Sequence, residues 1–457
     1  MTLIRRMKLM VSSEITVRIQ DFRAIKDANL KLNGLTVLSG LNGSGKSTIA
    51  KTLYYAIKTA LNYDSILDNL LFDEIEAVME RYCLFLRNLM SSMVRGGALE
   101  HAERIDPIYL LKERNNLEFG VAVGSVFAVA AVLEHNIKKV VDEKKRNFFF
   151  SLLARADSLL VFSGSSKRPE NLTHSEIREL FSRDLAAAID KNDKQKEKRT
   201  LHSFVELCAS VSRITIPASL SYTENSIEIF DKQEKTVRPI QEIEVAYYID
   251  TPWIIDFLGK PTPDIHTHWR ETLATIYEPD DSAEHSSFAE NIAKTIKGYA
   301  LRKKEDPRLF FEREDKKNFL LRDVATGIKG FSIIQRLAEK HAFNEKTLLI
   351  LDEPESHLHP QWIVEYARIL VLMQKELGVK MLIASHSPDM IDALQTFSES
   401  AGISNRTNFY LAEELADDSF SHTYTPLGNS IAKIFKAFNV AATRIANYEK
   451  NFGKNAD

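Results

Sequence analysis

The run Gly40-Leu41-Asn42-Gly43-Ser44-Gly45-Lys46-Ser47-Thr48 leaves this chain few ways to fold. Its spacing is G-x-x-x-x-G-K-[ST], the phosphate-cradling P-loop. Glycines let the backbone bend until successive N–H groups converge on an anion. The motif requires a strand before it and a helix after it. Leu35-Thr36-Val37-Leu38-Ser39 is apolar and β-branched, and Thr48 to Ile57 is apolar at helical spacing, so both requirements are met. Asn42, Gly43, Ser44, Gly45 and Thr48 are expected to wrap the phosphates. Lys46 is expected to reach the β- and γ-phosphates, and Ser47 to hold Mg²⁺.

A second cluster lies three hundred residues on. Thr347-Leu348-Leu349-Ile350-Leu351-Asp352-Glu353 reads as a buried strand ending in two acids. Open α/β sheets bind ligands at that end. Asp352 is expected to anchor Mg²⁺ and Glu353 to polarise the attacking water. Pro354-Glu355-Ser356-His357-Leu358-His359-Pro360 follows, and Lys380-Met381-Leu382-Ile383-Ala384-Ser385 is another buried strand, ending at His386. With no N-K-x-D guanine-reading motif, ATP is favoured over GTP.

Together, L-D-E-P-E-S-H-L-H-P and I-A-S-H-S-P resemble the ABC-type ATPase heads of the RecF, SMC and OLD families. The resemblance implies an α/β P-loop NTPase, an ABC-type head with a mixed sheet, flanking helices and a large, mainly helical insert. It implies that His386 is a switch histidine acting on the γ-phosphate beside Glu353, and that Ser356 to His359 form an interface loop. Ala325-Thr326-Gly327-Ile328-Lys329-Gly330-Phe331 stands where the family has its signature, with Thr326 for the serine, Gly327 kept and Lys329 for the glutamine. Those three would bind ATP held by a second copy. The family's Q-loop glutamine is absent after the strand ending at Asp250-Thr251-Pro252.

The expected divisions are an N-terminal lobe at 1–61, a helical insert at 62–212, a returning segment at 213–306 and a C-terminal lobe at 307–457. Asn33-Gly34 reads as a hairpin turn leading into the P-loop strand. Further strands are expected over Arg213–Ile216, Ser219–Tyr222, Ser226–Phe230 and Glu244–Asp250, with a hairpin over Leu309–Leu321. Leu67, Leu70, Leu71 and Ile75 begin a helical apolar stripe, and Thr173-His174-Ser175-Glu176 is a capping box. The longest apolar run, Phe119 to Leu133, falls short of the roughly twenty residues of a membrane span. With no signal peptide, a cytoplasmic protein without a membrane partner is expected. Sixty basic residues against sixty-three acidic ones show no excess for nucleic acid. Asp264, His266 and His268 have metal-ligand character, but helix capping and surface polarity are the plainer role. Phe22 and Arg23 could touch nucleotide or simply pack.

One P-loop and one signature per chain imply a self-partnered ATP sandwich, with higher assemblies through the insert. The 71 residues after His386 are too few for a Toprim nuclease, so a separate effector nuclease is implied. In this respect the chain resembles the ATPase subunits of PARIS-type anti-phage systems, which also imply a phage-protein trigger. Septu and retron-linked ATPases share the pattern. The alternative is a RecF/SMC-like repair ATPase binding duplex DNA directly.

Overall fold

The structure is a computed structural model. It describes residues 14–75, 77, 143–144, 174–212, 214–256, 267–279, 286–304, 306–428 and 430–438. The apolar run at 119–133, Thr173, Asp264 and His266 lie outside these. Two compact units are present: 1–62 with 199–457, and 63–198.

The strands of the first unit, in chain order, are β1 Ile15–Phe22, β2 Ile25–Lys31, β3 Leu35–Ser39, β4 Ser221–Glu224, β5 Ile227–Glu228, β6 Phe230–Asp231, β7 Thr236–Val237, β8 Val245–Ile249, β9 Gly298–Arg302, β10 Leu309–Arg313, β11 Asn318–Leu320, β12 Thr347–Asp352, β13 Lys380–Ser385, β14 Thr407–Leu415 and β15 Asp418–Gly428. Ten of them form one sheet, ordered β5-β4-β1-β2-β15-β14-β3-β13-β12-β8. From β14 to β8 every neighbour is parallel. Here β3, β12 and β13 are buried at every position, because helices cover both faces. The β1–β2 and β1–β4 pairs are antiparallel, and β1 alternates buried and accessible positions over its first five residues.

Asn33-Gly34 is not a hairpin turn. β2 and β3 do not pair; β15 and β14 lie between them. The turn carries the chain across that gap, pinned by Asn408 Nδ2 donating to Asn33 Oδ1 at 2.7 Å and by Met381 N donating to Gly34 O at 2.6 Å. The two inserted strands come from beyond His386, where the sequence reading placed none. Residues 214–217 also form no strand, although Arg213–Ile216 was expected to. The β10–β11 hairpin forms as its sequence predicts, and β9, which the sequence did not announce, pairs with the other edge of β10.

Helices Pro360–Leu377 and Pro388–Ala401 both start on proline at the first turn, each behind a capping residue, His359 and Ser387. Leu349, Leu351, Met381 and Ile383 of the sheet pack with Ile334, Leu337, Leu370, Met373 and Leu394 of the helices in one apolar core.

In the second unit, 63–75 and His174–Lys198 are helical. Tyr63 Oη donates to Gln195 O at 3.4 Å, and Asn192 Nδ2 to Asp68 Oδ1 at 3.3 Å. Leu67 and Ile75 are buried, whereas Leu70 is exposed. The expected insert ran to 212, but helix Leu201–Ser212 belongs to the first unit and packs on Lys46–Leu61.

Candidate nucleotide site

Strand β3 delivers the loop at the C-terminal edge of the parallel strands, and helix Lys46–Leu61 leaves it. Gly43 and Gly45 have φ of 86° and 95°, the left-handed region that glycine enters without penalty. Asn42, Gly43 and Ser47 are exposed, Thr48 is half-buried, and Ser44 is buried. Ser44 Oγ has no hydrogen-bond partner among the described residues. Lys46 is buried and donates to Gly40 O at 2.8 Å and Leu41 O at 3.0 Å. Burial lowers its pKa, and the charges of Glu353, Asp352 and Glu355 oppose that shift.

Asp352, at the end of β12, accepts from Ser47 Oγ at 3.0 Å and from the Tyr248 hydroxyl at 2.9 Å. Two residues 305 positions apart are thus brought to one point. Burial raises the Asp352 pKa against the pull of those two donors. Tyr248 sits on β8 beside β12 and has no counterpart in the sequence reading. Periodicity marked it only as a strand residue. Tyr424 was missed too; from β15 its hydroxyl donates to Ser44 O at 3.1 Å, and no local signal announced that contact.

Glu353 follows with φ 53°, a conformation that costs a non-glycine residue roughly 1–3 kcal/mol and that clusters at active sites. Its N–H donates to Ala384 O at 2.8 Å, tying the ends of β12 and β13 together. His386 Nδ1 lies 3.2 Å from Glu353 Oε1 and 3.7 Å from Glu355 Oε1, without hydrogen-bond alignment to either. Such contacts often tighten only in the complex with substrate. Both side chains remain accessible, Glu353 at 37% and His386 at 42%. Glu355, quoted in the motif but given no role there, is buried.

The signature opens helix Thr326–Glu339. Its N-cap is Ala325, which supplies no side-chain acceptor, so the first N–H groups carry no side-chain cap. Thr326 and Gly327 are half-buried there. Lys329 does not stand beside them. It is buried, its ammonium 2.6 Å from Asp256 and 5.0 Å from the Trp253 ring centre. One residue too far round the helix, it points at the 3-10 turn Pro252–Asp256 rather than outward. A cleft lined by Thr326, Asp250, Thr251, Asp352, Glu353 and Ser356 joins the signature turn to the acids of the same chain.

His268 is neither a cap nor a surface residue. It is buried, with Nδ1 3.1 Å from the Tyr55 hydroxyl and Nε2 3.1 Å from Asp250 Oδ2, while Trp269 Nε1 donates to Asp250 Oδ1 at 2.9 Å. Burial would raise the Asp250 pKa, but the His268 and Trp269 contacts hold it below the ordinary value. Among the described residues no group of three acids, histidines or cysteines could hold a metal. Phe22 ends β1 and Arg23 opens the turn to β2, its guanidinium 5.3 Å over the Phe22 ring, and the following Ala24 and Ile25 lie against Gly45.

A P-loop on β3, an acid pair ending the parallel strand two places away and a histidine ending the strand between them define a P-loop nucleotide-hydrolase head. Residues 15–391 match the AAA ATPase domain family (AAA_15), and the chain belongs to it: a nucleotide-binding ATPase domain. The energy-coupling factor transporter ATP-binding protein EcfA3 of Clostridium perfringens is 47% identical over 72 residues, 16% of this chain and 25% of that protein. EcfA2 of the same species is 47% identical over 47 residues, 10% of this chain and 16% of the relative. The chain therefore spans a quarter or less of the length of these curated relatives. Among solved structures, the SMC head domain from Thermotoga maritima is 10% identical, with TM-score 0.33, over 91% of this chain and 98% of that one. An SMC head bound to the C-winged helix domain of ScpA is 12% identical, with TM-score 0.36, over 93% and 98%. Among the described residues no helix is long and apolar enough to cross a membrane.

Proposed function

We propose that this chain is an ATP-fuelled switch: two copies close head-to-tail on two Mg²⁺·ATP molecules, and hydrolysis loosens them. The observation that carries the reading is the Ser47–Asp352 contact, which sets a hydroxyl and a carboxylate side by side beneath the P-loop, the donor pair Mg²⁺ takes in such sites. Glu353 is the water-orienting base and His386 the γ-phosphate contact, both accessible at the same edge. Thr326 and Gly327 act in trans, the uncapped helix N-terminus meeting the partner's γ-phosphate. Lys329 joins them only if it leaves Asp256.

ATP then works as a bridge whose charge is met from both subunits, and its loss shifts the population to the open state. On the resemblance of the motifs to PARIS-type ATPase subunits, the controlled output is a separate effector nuclease, released on a phage-protein trigger. The second unit supplies further protein contacts.

The experiment mixes two inactive variants. Thr326→Glu puts a carboxylate in the first turn of a helix, which suits the helix dipole but repels a phosphate. Lys46→Ala removes the lysine of the P-loop. Each alone is expected to hydrolyse little ATP. A mixed dimer has one site lacking both elements and one intact site, so activity returns on mixing. No recovery, with subunit exchange demonstrated by differently labelled copies, refutes signature action in trans.

A further inference from the structure

The turn that presents His386 needs something to hold it, and the structure assigns that task to a carboxylate outside the proposed chemistry. Glu355 is 6% exposed. Its Oε1 accepts from Ser385 Oγ at 2.7 Å, His386 N at 3.0 Å and Ser387 N at 3.2 Å. Its Oε2 is buried with no partner among the described residues. We propose that Glu355 is a positioning residue for His386: it fixes the 385–387 turn and so the direction in which the imidazole meets the nucleotide. This rests on His386 acting at the nucleotide, as read above.

Burying a carboxylate is expensive unless donors replace its water. Here the donors all come from one three-residue turn, the point where β13 stops and helix Pro388–Ala401 begins. Backbone N–H groups ahead of a helix have no intrahelical acceptor, and an anion there is favoured by the helix dipole. Glu355 Oε1 therefore gathers the three donors of the turn at one atom, and His386 N finds its acceptor there. The carboxylate is also anchored from its own side: Ser356 N donates to Glu353 O at 2.9 Å and Leu358 N to Glu355 O at 3.0 Å. One tight turn thus carries both Glu353 and Glu355 to the same imidazole, 3.2 and 3.7 Å from Nδ1. Both carboxylates lie on the Nδ1 side of the ring, so Nε2 is the nitrogen turned away from them.

The test uses the full chain, with ATP turnover, binding of a fluorescent ATP analogue and the ¹⁵N spectrum of the histidine rings. Glu355→Ala is expected to lower kcat about 100-fold, the cost of a reacting group misplaced by an ångström, with KM and analogue affinity within about threefold. The His386 ring signals should shift as the turn loses its anchor. Glu355→Gln keeps an oxygen for the same three donors and should recover most of the loss. Should the alanine variant fail to fold, Ser385→Ala removes one donor, leaves the carboxylate in place and should shift the same ring signal with a smaller loss of kcat. Glu355→Ala with normal turnover beside an inactive His386→Ala overturns the positioning role alone. A normal His386→Ala removes the reading on which it rests, and the role with it. A loss of kcat matched by an equal loss of analogue affinity, or a glutamine variant no better than alanine, also overturns it.

Discussion

Gly45→Ala isolates what the P-loop asks of its backbone. Gly45 ends the loop at φ 95°, ψ 8°, as the residue before helix Lys46–Leu61. An added Cβ there would sit 2.8 Å from Ile25 Cγ1 and 3.5 Å from Ile25 Cδ1. Two costs follow. Holding a non-glycine residue in the left-handed region costs about 1–2 kcal/mol. Overpacking against a buried, β-branched Ile25 adds roughly 1–3 kcal/mol, because its Cγ1 is held by the stiff χ1 of that side chain. Gly43→Ala has the first cost without the second, since its φ is 86° and nothing lies within 4 Å of the added atom. Gly45→Ala should therefore be the more destabilising by about the overpacking share. Combining Gly45→Ala with Ile25→Ala removes the clashing atom, so the double variant should be less destabilised than the sum by about 1–3 kcal/mol. Urea unfolding of the four proteins measures this directly. Equal losses for the two glycine variants, or simple additivity with Ile25→Ala, would refute the argument and place the cost elsewhere.

Glu353→Gln should bind ATP at near-wild-type affinity and turn it over at least about 100-fold more slowly, because the amide keeps the shape and cannot take the proton; single-turnover assays decide. Cys208 is buried, and burial raises its thiol pKa to about 12 from an ordinary 9. In the folded protein it should resist a thiol reagent at pH 8 and react on unfolding, checked in a Cys83→Ser background. Its folded pKa lies above the unfolded one, so its contribution to stability is whole below pH 9 and is lost as pH rises toward 12. Stability rising across that window in Cys83→Ser relative to Cys83→Ser/Cys208→Ala would contradict the sign.

Motifs with short spacing were legible because their geometry is local. The β3–loop–helix unit and the acid strand follow from a few residues each, and the strand ends of β12 and β13 fall on Asp352 and Ser385 as read. What failed depended on partners far away in sequence. Asn33-Gly34 has hairpin chemistry, yet β15 and β14 take the intervening places because a parallel sheet is completed from 407–428. Lys329 was legible as a letter of the signature, but its pairing with Asp256, 73 positions earlier, was not. His268 reads as polar until Tyr55 and Asp250 close around it. Glu355 was visible as a letter, while its three donors became visible only once β13 lay beside β12.

The charges around the loop bear on how nucleotide arrives. Asp352, Glu353 and Glu355 act together on Lys46, and Asp250 and Asp352 both feel Lys51. Four carboxylates thus surround two ammonium groups on the P-loop helix, and this neighbourhood is net negative before any phosphate enters. A bare triphosphate would be repelled by the Asp352–Glu353 edge even as the loop's N–H groups attract it. A divalent cation reverses that balance, because it is attracted by Asp352 and by the phosphates together. On the sandwich proposed above, ATP therefore enters as its Mg²⁺ complex. Neutralising Asp352 as Asp352→Asn should then weaken binding of Mg²⁺·ATP while strengthening binding of metal-free ATP. Titrating a fluorescent ATP analogue with Mg²⁺ or with EDTA separates the two effects. If the asparagine variant lost affinity equally in both, Asp352 would be holding the loop's shape through Ser47 rather than balancing its charge.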